Sequence, residues 1–239
     1  MALSRPVIRG TTWLITRRCK DGIRFQRPGV EVNHILLYVL AHAAAETGVE
    51  IHAFFFHVNH YHIVLTDREG RLPKFMERLN SLAGRALNRH WERCGAVYDP
   101  ETTYKYDRVQ LDGVGVVVEK CRYVVANGVK DGLVARARHW PGLVSLRGVE
   151  EWLKRVPENA VSVEEMGVRT RVRVARPAWF FSESMPGEVK LEIVAPEESA
   201  GLAAGGGEDA DDGDENSGGG GGDSDRGEDA VEEGARAFW

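Results

Sequence analysis

His60-Tyr61-His62 sets two imidazoles two residues apart inside the β-prone run from Ile51 to Asp67. Side chains of a strand alternate between faces, so His60 and His62 point one way and Tyr61 the other. Two imidazoles on one face make half of a divalent-metal site. The same triplet is also what two ordinary hydrogen-bonded histidines look like. Further along, Tyr123 and Asn127 are four residues apart. On a helix that spacing stacks a phenol hydroxyl and an amide oxygen on one face, on an element that could lie across the histidine face. Taken singly, they also suit a packed tyrosine and an asparagine that ends a helix before glycine. His52 and His57 read as structural, with His57 sharing the face of Asn59.

The elements that must position these residues follow from periodicity. Thr11 to Arg17 alternates as a first strand, and Cys19 to Val30 is a polar loop. Val32 to Glu46 has helical spacing and is ended by Gly48. Ile51 to Val58 and His60 to Thr66 form two strands meeting near Asn59. A helix follows, with Leu72, Phe75, Met76, Leu79, Leu82, Ala83, Ala86 and Leu87 on its apolar face, closing at Cys94-Gly95. Beside that face runs a basic stripe, Arg71, Lys74, Arg78, Arg85, Arg89 and Arg93, either a solvated face or a surface for DNA phosphates. Val114 to Asn127 reads as a helix despite its valines, with Asp112 as N-cap and Gly128 beyond its end. One strand in the polar stretch Thr102 to Gln110 would complete an α+β, ferredoxin-like β-α-β-β-α-β antiparallel sheet with helices on one face. Val161 to Val174 and Val189 to Val194 read as short strands of a C-terminal extension.

Charge is unevenly distributed. The net charge is −5 overall, but from Glu197 to Trp239 fourteen acidic residues face only Arg226 and Arg236, leaving +7 on residues 1–196. A basic domain favours a polyanionic partner, and the Gly/Asp/Glu tail lacks the apolar residues to build a core and is expected to be disordered. Three widely spaced cysteines form neither a disulfide framework nor a zinc cluster. With no stretch long enough to span a membrane, the expectation is a cytoplasmic, nucleoid-associated protein of bacterial type.

Two segments carry a resemblance to a known family. Phe56-His57-Val58-Asn59-His60-Tyr61-His62-Ile63-Val64-Leu65 resembles the "MPNHVHLLL"-type segment of the REP-associated tyrosine transposases. These are relatives of the single-tyrosine insertion-sequence transposases in the HUH endonuclease class. Arg122-Tyr123-Val124-Val125-Ala126-Asn127-Gly128-Val129-Lys130-Asp131-Gly132-Leu133-Val134 resembles their "YIHLNPVRAGLV" segment, with Gly128 where the family has proline. Phe75 to Asn88 is similar to the helix between the two, and His139-Trp140-Pro141 with Ser145 to a "YPWSS"-like ending.

The resemblance implies an HUH transposase-like catalytic domain over 8–150, a small extension over 151–196 and the acidic tail over 197–239. It implies Tyr123 as nucleophile, with His60, His62 and Asn127 as ligands of Mg²⁺ or Mn²⁺. The reaction implied is nicking and rejoining of single-stranded or hairpin DNA through a 5′-phosphotyrosine, by a monomer or a homodimer. The alternative is a non-catalytic, domesticated DNA-binding protein of the same fold. A metal hydrolase using water lacks an obvious carboxylate base near the histidines.

Overall fold

In the computed structural model, residues 8–98, 106–146, 154–157, 159–167, 169–177 and 185–196 are described; the expectations for residues 197–239 lie outside them. Strand β1 (Thr11–Arg18) alternates buried and more exposed side chains, the mark of a strand with unlike faces. Helix α1 (Val30–Thr47) is buried along most of its length, from Val32 to Ala44. Its apolar residues run nearly all round because α2, β6 and β7 all pack against it. Gly48 ends α1 in the left-handed region, φ 69°, returning its N–H to the Ala44 carbonyl. Strands β2 (Glu50–Phe56) and β3 (His60–Asp67) pair antiparallel.

Helix α2 (Leu72–His90) starts where the buried Asp67 carboxylate accepts from the N–H groups of Arg71 (2.8 Å) and Leu72 (2.7 Å). It stops four residues before the expected Cys94. Glu92 turns to φ 48°, and the Trp91 indole donates to the Phe25 carbonyl at 2.9 Å. Strand β4 (Asp107–Leu111) supplies the strand expected in the polar stretch. Helix α3 (Val114–Val125) and the short turn α4 (Asn127–Lys130) follow. Gly113, at φ 85°, rather than Asp112, precedes α3; Asp112 instead accepts from Gln110.

The sheet order is β4-β1-β3-β2-β7-β6-β5, so its first four strands have the ferredoxin-like arrangement. Beyond β2 the sheet continues. The stretch expected as one strand from Val161 is a hairpin, β5 (Val161–Met166) and β6 (Arg169–Ala175), with Gly167 at φ 63° between them. Strand β7 (Glu188–Val194) then joins β6 antiparallel and β2 parallel, pairing Ile193 with Ile51. The C-terminal strands thus extend the main sheet. At the junction the buried His52 ring donates to the Val194 carbonyl (2.9 Å) and accepts from the Thr66 hydroxyl (2.8 Å). Burial holds its pKa down, against the Val194 hydrogen bond, which favours the charged ring.

Two cores lie on opposite faces. One joins α1 and α2 to Trp13, Ile15, Tyr61, Ile63 and Leu65. The other joins α3 to Ala53, Phe55 and Val64. Helices α1 and α2 share one face, as expected, while α3 crosses the other.

Candidate active site

Strand alternation separates the triplet. Tyr61 turns into the α1/α2 core, fully buried, and its hydroxyl donates to Asn80 Oδ1 at 2.7 Å. Its neighbours face the α3 side. The His60 and His62 rings are 4.9 Å apart between centroids, nearly perpendicular. Opposite them across the ladder stand Arg18 and Thr16 of β1, and Phe55 of β2 faces His62.

Each imidazole is oriented through Nδ1. Asn59 donates its Nδ2 to the Gly22 carbonyl (3.1 Å), which fixes its Oδ1 as an acceptor. His60 Nδ1, at 2.9 Å, is therefore the protonated nitrogen, and its Nε2 carries the lone pair. His62 Nδ1 bonds Thr16 Oγ1 at 2.8 Å. Among the described residues neither Nε2 has a hydrogen-bond partner. Burial, together with the charges of neighbouring histidines and Arg18, pushes the His60 pKa down to about 3. Burial likewise lowers His62 to about 4, against the opposing pull of Asp131. Both rings are neutral at pH 7, the form that donates to a metal.

Helix α3 brings Tyr123 over this face. Its ring stands edge-on to His62, centroids 6.2 Å apart. The buried side chains Val117, Cys121 and Val124 dock α3, while Tyr123 is only half-buried. Lys130, one helical turn into α4, places Nζ 4.1 Å from the Tyr123 ring centroid.

Asn127 opens α4 and is 4% exposed. Its Oδ1 is buried and has no hydrogen-bond partner among the described residues. The next residue, Gly128, lies against the Phe55 ring, where an added Cβ would come within 3.4 Å of Cζ. Phe55 in turn faces His62 across the ladder. Imidazole nitrogens and an amide oxygen are donor types that Mg²⁺ or, better matched to imidazole, Mn²⁺ accepts. No group of three His, Cys, Asp or Glu side chains able to hold a metal occurs among the described residues.

The basic stripe is elsewhere. Helix α2 packs on the Tyr61 face, so its bases are in the layer opposite the histidines. Arg71, Lys74 and Arg78 pair with Glu69, Glu77 and Glu46. Arg93 lies beyond the helix end, its guanidinium 4.2 Å from the Phe25 ring centroid. Cations beside the site include Arg18, next to His60 and His62, and Lys130, over the Tyr123 ring, both exposed.

Sequence reading missed several neighbours. His57 does reach Asn59 Oδ1, at 3.3 Å. It also stacks on His60, centroids 4.6 Å apart, and on Trp140 at 5.6 Å. Asp131 Oδ2 is 4.0 Å from His57 Nε2, so a carboxylate does stand near the histidines. The spacing His57-x-x-His60-x-His62 and the carboxylate four residues after Asn127 were the available signals.

No protein-family model and no curated protein matches the chain. Among solved structures, a REP-associated tyrosine transposase bound to a REP hairpin is similar at 16% identity and a TM-score of 0.46, over 59% of this chain and 81% of that one. A candidate transposase from Deinococcus radiodurans R1 is similar at 17% identity and a TM-score of 0.35, over 55% of this chain and 97% of that one. No helix among the described residues is long and apolar enough to cross a membrane.

Proposed function

We propose that the protein is a DNA strand transferase that cuts and rejoins single-stranded or hairpin DNA through Tyr123. The carrying observation is the half-buried Tyr123 ring edge-on to His62, whose neighbour His60 shares its strand face; the buried Asn127 oxygen, four residues after Tyr123 and without a partner among the described residues, supports the reading. A divalent ion held by His60, His62 and Asn127 would supply Lewis-acid polarisation of the scissile phosphate.

The chain's own groups account for the rest. Tyr123 Oη attacks phosphorus; the Tyr O–P bond forms and the P–O3′ bond breaks. The phenolic proton ends on the departing oxygen, giving a 3′-hydroxyl and a 5′-phosphotyrosine. One phosphodiester replaces another, so the 3′-hydroxyl of a second strand can reverse the step without ATP. Lys130 holds the ring of the nucleophile in place, and Arg18 and Lys130 set positive charge where the phosphate oxygens must lie. Asn59 and Thr16 keep the imidazoles in one orientation.

The test is incubation with end-labelled hairpin DNA and Mn²⁺, followed by a denaturing gel. Wild type is expected to give a covalent adduct and Tyr123→Phe none. Strand cleavage with no adduct would instead indicate a water nucleophile, with Asp131 and His57 as the nearest bases. DNA retention with no cleavage would indicate a binding protein.

A further inference from the structure

The loop 19–29, between β1 and α1, carries Lys20, Arg24 and Arg27, with Arg18 just before it and Asp21 as its own acid. All four bases are exposed. The loop backbone is fastened to the turn that bears the histidines. Cys19 N–H donates to the Asn59 carbonyl (2.7 Å) and Gln26 N–H to the Val58 carbonyl (2.9 Å), while the Gly22 carbonyl accepts from Asn59. The buried Gln26 amide, oriented so that Nε2 donates, reaches the carbonyls of His57 (3.0 Å) and His60 (2.9 Å) and accepts from the Tyr98 hydroxyl (2.7 Å). A backbone fixed at so many points has little freedom left to lose when a ligand binds it.

The end of α2 adds an aromatic ring to this loop. Trp91 is 39% exposed, yet its ring is held by the bond from its indole N–H to the Phe25 carbonyl and by His90, centroids 4.4 Å apart. Arg93 lies over the Phe25 ring from the same side. The nearby acids are Glu92 and Glu31, the latter 3.3 Å from His90 Nδ1. Arg18 stands opposite His60 across the ladder, whereas Phe25 belongs to the α1/α2 core. The basic loop therefore leads from the candidate active site round the end of the sheet to Trp91. Exposed cations for a backbone and a fixed π-face for a base are the two parts of a single-strand surface.

From this juxtaposition we infer that the loop 19–29 and Trp91 form a platform for the single strand flanking the reacting phosphate. Arg24 and Arg27 contact backbone phosphates and Trp91 stacks one unpaired base. The inference rests on the strand-transfer reading for the identity of its ligand. A paired base has both faces covered by its neighbours in the duplex, so Trp91 selects unpaired DNA.

The test uses full-length protein in EDTA, so that binding is read without chemistry. The probes are a fluorescein-labelled DNA hairpin with single-stranded extensions and the same hairpin blunt-ended. Trp91→Ala is expected to bind the extended hairpin about tenfold more weakly, one lost base stack, and the blunt hairpin like wild type. Trp91→Phe, which keeps a ring but not the indole N–H, should recover most of the loss. In Arg24→Ala/Arg27→Ala the slope of log K against log salt should become shallower by about 1.4, since each single-strand phosphate contact contributes about 0.7. Arg24→Lys/Arg27→Lys should keep the wild-type slope, and Lys74→Ala/Arg85→Ala on α2 should change neither affinity nor slope. Wild-type binding by the Trp91 and Arg24/Arg27 alanine variants would overturn the platform, as would an equal loss on the blunt hairpin or from the α2 pair. Trp91→Phe binding as weakly as Trp91→Ala would overturn the stack, leaving Trp91 a prop for the loop. The same extensions bound more tightly as RNA would overturn the assignment to DNA. The two readings separate cleanly. If wild type forms no adduct while Trp91, Arg24 and Arg27 still carry binding, strand transfer fails and the platform stands. If the adduct forms and the variants bind like wild type, the reverse holds.

Discussion

Asn127→Leu should make the metal-free protein more stable while removing its response to metal. Asn127 is 4% exposed and its buried Oδ1 meets no donor among the described residues. A buried oxygen left in that state costs about 1–3 kcal/mol, and leucine fills a similar volume without the polar atom. In EDTA the variant should gain about 2 kcal/mol, which for a domain of this size raises Tm by about 4–8 °C. Wild type with Mn²⁺ at a hundred times its Kd should gain about 2.7 kcal/mol by mass action, and the variant should lose that increment. Differential scanning calorimetry with EDTA or with Mn²⁺ reads all four states. A variant less stable in EDTA that keeps the full Mn²⁺ shift would refute the reasoning, because Asn127 would then be structural and not a ligand.

Acid should weaken the fold through the site histidines. Their folded pKa values, about 3 for His60 and about 4 for His62, are depressed below the ordinary 6.5, so the unfolded chain binds more protons in between. Stability is then full above pH 6.5 and falls as pH drops through that window, by about 3 kcal/mol for His62; urea unfolding of metal-free protein at pH 7 and pH 4 measures it, and a flat profile contradicts it. Tyr61→Phe deprives buried Asn80 of its 2.7 Å donor and should cost about 1–3 kcal/mol, yet leave adduct formation intact because Tyr61 faces the other core; loss of the adduct in a folded variant would put Tyr61 in the chemistry. Gly142→Ala drives its methyl into the Trp140 indole and toward the Phe56 carbonyl, an overpacking worth about 1–3 kcal/mol. A lowered Tm with a shifted tryptophan emission is expected, and unchanged values for both would count against the tight seat of Trp140.

Strand period alone separated His60 and His62 from Tyr61, because a period of two leaves no freedom once the strand is assigned. The four-strand order was legible from element order for the same reason: β2 and β3 are joined by three residues and must pair. The layer of the basic stripe was not. Periodicity shows that α2 has an apolar face, but chain connectivity decides which side of the sheet receives it. The continuation of the sheet through β7 was hidden because Ile51–Ile193 pairing is parallel and distant in sequence. His57 was half legible: it reaches Asn59, as expected, but β2 ends at Phe56, so strand alternation no longer governs the next side chain, and its ring also turns onto His60. Trp91 and Phe25 are 66 residues apart and share no sequence pattern; only the fold brings the indole onto the loop.

The central claim is that Tyr123 becomes covalently joined to DNA. Hairpin DNA reacted with Mn²⁺, then digested with nuclease and protease and mapped by mass spectrometry, tests it directly. The expected result is a nucleotide 5′-phosphate on the peptide containing Tyr123, with an equal yield of free 3′-hydroxyl ends. A nucleotide on any other residue, or cleaved DNA with no modified peptide, would contradict the account.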